Sequence, residues 1–267
     1  MTEQRRRGVI DWAFDSWPGR WLVGLIVPAL LAAVWAVSAE QGWLPAQLLP
    51  APRAVWQALI ETAASGDLWA NTWISLARVF EGFAIGAAVG LVVGLLLGLS
   101  QRARELVDPL FLLISQIPPL GLIPLAILAL GVDEAMKVSV IAWASFVPVV
   151  LNVTQGIRDV PRSLHEVAEV LTFDPWYALT RVVLPASVPS IFTGLREGLA
   201  NAWQTMVAAE LFASTEGLGY MITLGRQLFQ FDMVLAVIVV LGVVGLVVNG
   251  ALALAERRLL RWQGHAA

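Results

Sequence analysis

Cysteine is absent from the 267 residues, which excludes disulfides, thiolate metal sites and thiol nucleophiles. Charge is scarce: Asp, Glu, Lys and Arg make up 14% of the chain, where a soluble domain carries roughly 25%. The net charge is only −3, which argues against nucleic acid as a partner. Lysine occurs once, as Lys137 in GVDEAMKV, so the chain holds no G-x-x-x-x-G-K-[ST] phosphate loop. Of the two histidines, His165 opens an apparent H-E-x-x-H whose fifth residue is Glu169, and His265 sits in the tail. Neither a metal site nor a serine–histidine nucleophile is arguable from them. No catalytic residue, metal ligand or cofactor-binding residue is expected.

What the chain has instead is apolar length. Hydrophobic residues make up 58% of it, an excess that must face lipid as well as fill a core. Several of the twelve tryptophans cluster where spans should end, Trp12, Trp17 and Trp21 and then Trp69 and Trp73, in the manner of an interfacial belt. Windows of about 20 apolar residues are long enough to cross a bilayer. They fall at 21–38, 83–99, 109–130, 138–153, 191–211 and 233–254. This predicts an all-α integral membrane protein with about six transmembrane helices. Arg5, Arg6 and Arg7 before an apolar run, with Val37-Ser38-Ala39 beyond it, resemble a signal peptide, but Asp11 and Asp15 interrupt the leader, and the run reads as a retained first span.

Six spans put both termini on one side. Arg5, Arg6, Arg7, Arg20, Arg102, Arg104, Arg158, Arg162, Arg181, Arg257, Arg258 and Arg261 share that side, against Arg53, Arg78, Lys137 and Arg226 opposite. The positive-inside rule therefore makes both termini, the 1–20 segment and the 156–189 loop cytoplasmic. With no linker or low-complexity stretch, 1–267 reads as a single transmembrane domain. Between the first two spans a short helix is expected from Pro52 to about Ala63, broken at Ser65-Gly66. Asp67 would cap the next helix, both lying on or dipping into the outer interface.

Three features point to working parts. Gly82, Gly86, Gly90, Gly94 and Gly98 recur every fourth residue, a spacing that lets helix backbones approach closely in lipid, as fixed packing or as a sliding face. Gln116, Pro118, Pro119 and Pro124 interrupt the third span, as a gate element or a static kink. In the fifth span, Glu197, Asn201, Gln204 and Ala208 form one stripe. Arg196, Ala200, Trp203, Val207 and Glu210 form the next. Polar residues at membrane depth belong on a translocation path or a helix interface.

The loop DVPRSLHEVAEVLTFDPWYALTRVVLPASVP carries the most local signal. Ser163 and Glu166 form a capping-box pattern that predicts a helix from Leu164, with Leu164, Val167, Ala168 and Leu171 on one face. Asp174-Pro175 starts a second short helix, which Leu184-Pro185 should end. The apolar face needs a cover, either a groove on a partner or its own bundle.

This loop resembles the EAA loop of binding-protein-dependent ABC importer permeases, whose pattern is E-A-A, three residues, G, nine residues, I-x-L-P. Glu166, Ala168, Leu184 and Pro185 fall in register, Val182 takes the isoleucine position, Val167 replaces the first alanine and Thr172 replaces the glycine. Glycine there suits a left-handed residue closing the first helix, so Thr172 suggests a turn built differently. LLPAPRAVWQAL, ISLARVFEGFAIG, SQIPPLGLIPLAIL, VVLPASVPSIFTGLREGLANAW and VAAELFASTEGLGYMI are similar to the sulfonate/taurine/nitrate branch. The resemblance implies a type I importer fold in a bacterial cytoplasmic (inner) membrane. It implies a pair of permease subunits, as a homodimer or a heterodimer, with two copies of an ATP-binding cassette ATPase that binds ATP and Mg, and an extracytoplasmic solute-binding protein. Ser163, Leu164, Glu166, Val167, Ala168, Leu171, Thr172, Leu184 and Pro185 would couple to the ATPase, and Gln116, Pro118, Arg196, Glu197, Asn201, Trp203, Gln204 and Glu210 would lie along the path. Aliphatic sulfonate, taurine or nitrate fits that branch, and permeases for thiamine precursors or aromatic acids are similar. A channel or secondary transporter leaves the EAA-like loop unexplained.

Overall fold

A computed structural model of the chain describes residues 17–43, 45 and 49–259. Arg5, Arg6, Arg7, Asp11, Trp12, Asp15, Arg261 and His265 lie outside them. Among the described residues eleven helices follow one another: α1 Trp17–Glu40, α2 Pro52–Ala64, α3 Asp67–Leu99, α4 Gln101–Ser115, α5 Pro119–Leu130, α6 Glu134–Arg158, α7 Arg162–Val170, α8 Pro175–Ala178, α9 Leu184–Ala213, α10 Leu218–Gln227 and α11 Phe231–Leu259. A π-helical segment, Leu179–Val183, joins α8 to α9. No strand occurs among the described residues. Five of the six expected spans fall within one helix each, and the third, 109–130, is broken at 116–118. Among the described residues four helical stretches, α3, α6, α8 through α9, and α11, are long and apolar enough to cross a membrane, and the α4–α5 pair passes the same test bent by 91°.

Helix α6 is the centre. Of its most apolar window 61% is buried, against 33% or less in the other three. The glycine stripe of α3 makes one of its two main contacts. A methyl group at Gly82, Gly90, Gly94 or Gly98 would stand 2.6–2.9 Å from Ile141, Val149, Val153 or Ile157, and at Gly86 it would overlap the Ala142 carbonyl and Ser145 Oγ. In lipid, where apolar burial supplies no drive between helices, this close backbone approach supplies the packing. On the other flank Gly194 and Gly198 of α9 meet Asn152 and the Ser145 carbonyl of α6 in the same way.

Four local expectations are corrected. The segment after Gly66 does not lie apart from the second span: one helix runs unbroken over Asp67–Leu99, and Leu68 and Val79 are buried in the same core as Ile141 and Met206. Its N-cap is Gly66, at φ +87°, rather than Asp67. Helix α7 starts at Arg162, not Leu164: Leu164 N–H donates to the Pro161 carbonyl at 3.0 Å, so Ser163 lies inside the helix and forms no capping box with Glu166. Leu184-Pro185 ends nothing either. Leu184 N–H reaches back to the Leu179 carbonyl, and this widened π turn lets the helix run through the position where proline has no N–H to give.

The closing turn of α7 is built as the glycine pattern would build it. Thr172 takes φ +50°; its N–H donates to Glu169 O at 2.9 Å, and Phe173 N–H to Ala168 O at 3.0 Å. These two bonds are a Schellman closure with a β-branched residue in the left-handed position. Asp174 caps α8 as expected, accepting from Trp176 N–H at 3.1 Å.

Candidate functional site: an ion cluster and an open cleft on one helix

Helix α9 carries two polar sites of opposite character. Near its C-terminal end Glu210, 1% exposed, meets Arg78 of α3, 3% exposed. Arg78 Nη1 donates to Glu210 Oε1 at 2.7 Å and to the Glu216 carbonyl at 2.8 Å, and its Nε and Nη2 grip Glu134 at 2.6 and 2.5 Å. Lys137 Nζ donates to the same Glu134 at 2.6 Å. Two cations thus face two carboxylates. Ser75 Oγ lies 2.8 and 3.0 Å from the Glu210 oxygens and accepts from Leu218 N–H at 2.9 Å. Gly219 N–H donates to Glu210 Oε2 at 2.8 Å, and Gly217 N–H to Asn71 Oδ1 at 2.6 Å. A side chain at Gly217 would collide with the Glu210 carboxylate. The cluster therefore pins the 214–219 loop, α3, α6 and α9 together, and the buried Arg78–Glu210 pair is sustained only when it is hydrogen-bonded this completely.

The second site lies further back on α9. Asn201, Gln204, Thr205 and Ala208 line a cleft of about 370 Å³ whose far wall is Pro119 and Leu120, the first turn of α5. The break that places this turn is encoded locally. Gln116 and Ile117 close α4, donating to Leu113 and Ile114 at 3.3 and 3.1 Å, Pro118 is extended, and Pro119 opens α5 at the position where a missing N–H costs nothing. The proline pair turns the chain instead of kinking a continuous span. No charged residue lines the cleft.

The other residues singled out from the sequence are placed elsewhere. Gln116 and Pro118 are exposed at the α4–α5 break, just before the lining turn. Arg196 forms an ion pair with Glu256 of α11, and Glu197 accepts from Asn152 Nδ2 at 2.9 Å. Trp203 packs on Gly245 of α11, and Glu210 is locked in the ion cluster. On the loop, Ser163, Leu164, Glu166, Val167, Leu171 and Thr172 are exposed, Ala168 is buried, and Leu184 and Pro185 are half-buried in the continuing helix.

Residues 86–261 match the family described as binding-protein-dependent transport system inner membrane component. The chain belongs to that family. It is 40% identical over 250 residues, 92% of this chain and 91% of the relative, to the "Putative aliphatic sulfonates transport permease protein SsuC" of Bacillus subtilis (strain 168). It is 33% identical to the taurine transport system permease protein TauC of Escherichia coli (strain K12), over 88% of each chain. A solved structure described as an amino acid ABC transporter with histidines superposes with a TM-score of 0.64 at 19% identity, covering 75% of this chain and 97% of that one, which shows a shared fold. The protein is the permease subunit of an ABC importer, a transport protein.

Two features of this permease went unread in the sequence. Arg78 counted only as a loop charge, although an arginine inside a long apolar helix needs a buried partner and Glu210 was the candidate. Thr205 belongs to neither polar stripe, yet it lines the cleft with Asn201 and Gln204.

Proposed function

We propose that this permease carries a small oxyanion, an aliphatic sulfonate or taurine, across the bacterial cytoplasmic membrane by alternating access driven by a separate ATPase. The observation that carries the coupling is the face of α7: Leu164, Val167 and Leu171 are 37, 54 and 54% exposed at helical spacing, with Val170, Trp176 and Tyr177 also uncovered beside them. An apolar helix face of this kind fits a groove on a partner. The partner is an ATP-binding cassette subunit, two copies of which hold ATP and Mg and serve two copies of this chain. An extracytoplasmic binding protein delivers the solute. The arginine distribution supports cytoplasmic termini and a cytoplasmic 156–189 loop. Asn201 and Gln204, open to the cleft, are the path residues best supported. The relatives named for sulfonates and taurine support the solute class.

Two measurements test this. Uptake of an alkanesulfonate, taurine, nitrate and a thiamine precursor is compared in cells carrying the chain with its genomic neighbours, with and without this gene. Loss for the sulfonates supports the reading, and loss for the thiamine precursor alone refutes the solute class. Val167→Glu changes an exposed side chain, so insertion should survive while ATPase co-purification and uptake are lost; normal co-purification refutes the docking face. Ala168 is a poorer probe, because it is buried beneath the α7 turn.

A further inference from the structure

We propose that the cleft between α5 and α9 is an oxyanion cradle made wholly of uncharged donors, with the Thr205 hydroxyl at its base. The proposal rests on the sulfonate reading above and adds to it a site of solute contact within the permease. Thr205 is 95% buried, as its 5% exposure states, yet its hydroxyl makes no hydrogen bond among the described residues. The contrast with its neighbours is chemical. Thr62, Thr72, Thr180, Thr193 and Thr223 all return their hydroxyl to the carbonyl four residues before. That is the usual outlet for a helical threonine. Thr205 lies on the wall of the cleft instead, with its hydroxyl left open to the cleft and free to donate to a ligand there.

The groups around it agree. The amides of Asn201 and Gln204 line the same cleft without a hydrogen bond to any described residue. Across from them Leu120 sits in the first turn of a twelve-residue helix, and its N–H has no backbone acceptor. A helix start with free N–H groups carries partial positive charge and favours an anion. Two amides, one hydroxyl and one backbone N–H suit the three oxygens of a sulfonate. The missing full charge has a purpose: a site on a transport route must bind well enough to fill and weakly enough to empty. The Arg196 guanidinium on the same helix is committed to Glu256.

The test uses the whole importer, permease with ATPase and binding protein, in proteoliposomes, with radiolabelled ethanesulfonate as probe. Thr205→Val keeps the shape and removes the hydroxyl. At saturating loaded binding protein it should lower uptake by roughly tenfold, the effect of losing a hydrogen bond to a charged group. ATP hydrolysis should persist, so that more ATP is spent per ethanesulfonate. Thr205→Ser, which restores the donor, should return uptake to near the wild-type rate. Wild-type uptake in Thr205→Val overturns the cradle while leaving the importer reading intact. Failure of the wild-type complex to move ethanesulfonate overturns the sulfonate reading itself. If Thr205→Val does not assemble, Gln204→Met at an exposed position is read in the same way: lowered uptake with hydrolysis retained supports the cradle, and unchanged uptake overturns it.

Discussion

The two polar sites of α9 stand under two turns apart and obey opposite rules. Around Glu210 each polar atom that meets Arg78 is partnered, and the residues that do so come from α3, α6, α9 and the 214–219 loop. Around Thr205 the polar atoms have no partner among the described residues, and the opposing wall is the first turn of a helix set off by 91°. Burial alone does not separate them, since Thr205 and Glu210 are 5 and 1% exposed. What separates them is satisfaction. A polar group that the fold has already answered is an anchor, and one that it has left open is available to a passenger.

The largest effect should come from breaking the answered site. Glu210→Leu leaves Arg78 buried with half its counter-charge, and about 3–5 kcal/mol of stability should go with it. The Tm of the solubilised complex and the yield of assembled permease report the loss. Arg78→Met with Glu210→Leu leaves the Lys137–Glu134 pair intact and should be milder than Arg78→Met alone, because removing both buried partners is often close to neutral. Equal damage from single and double variants would mean that the loop depends on the charges themselves.

A smaller effect separates glycines that are packed from those that are merely present. Gly86→Ala should cost about 1–3 kcal/mol by overpacking against the Ala142 carbonyl and Ser145. Gly242→Ala and Gly250→Ala, where an added carbon meets nothing within 4 Å, should be neutral or gain about 0.5–1 kcal/mol of helix preference. Thermal melts of the three side by side decide the matter. The smallest effect is at α7. Thr172→Gly relieves a left-handed β-branched residue, which should stabilise the turn by about 1 kcal/mol and slow exchange of the Phe173 amide about fivefold. Faster exchange would show that the stiffness of threonine outweighs its strain.

Much of this was legible because periodicity and composition are local. The spans, the glycine stripe and the Asn201–Gln204 face follow from spacing of three and four residues. The Arg78–Glu210 bond joins residues 132 apart and has no local signature beyond a charge in an apolar helix. The 91° turn after Gln116 was visible as a proline cluster, but prolines state that a helix is interrupted and not where the next one points. Thr172 misled in the other direction. Propensity argued against a left-handed threonine, and the Schellman bonds of α7 impose it regardless. At Pro185 the usual stop signal was overridden by one extra residue in the turn before it.

That extra residue has a mechanical consequence. Because α8, the π turn and α9 form a single helical stretch from Pro175 to Ala213, no hinge separates the proposed docking surface from the cleft. Trp176 and Thr205 sit on one lever with an arm of about 44 Å at 1.5 Å per residue. Tilting such a rod by about 5° would move its far end by about 4 Å, more than a hydrogen bond can stretch. A small push at one end is enough to make or unmake contacts at the other.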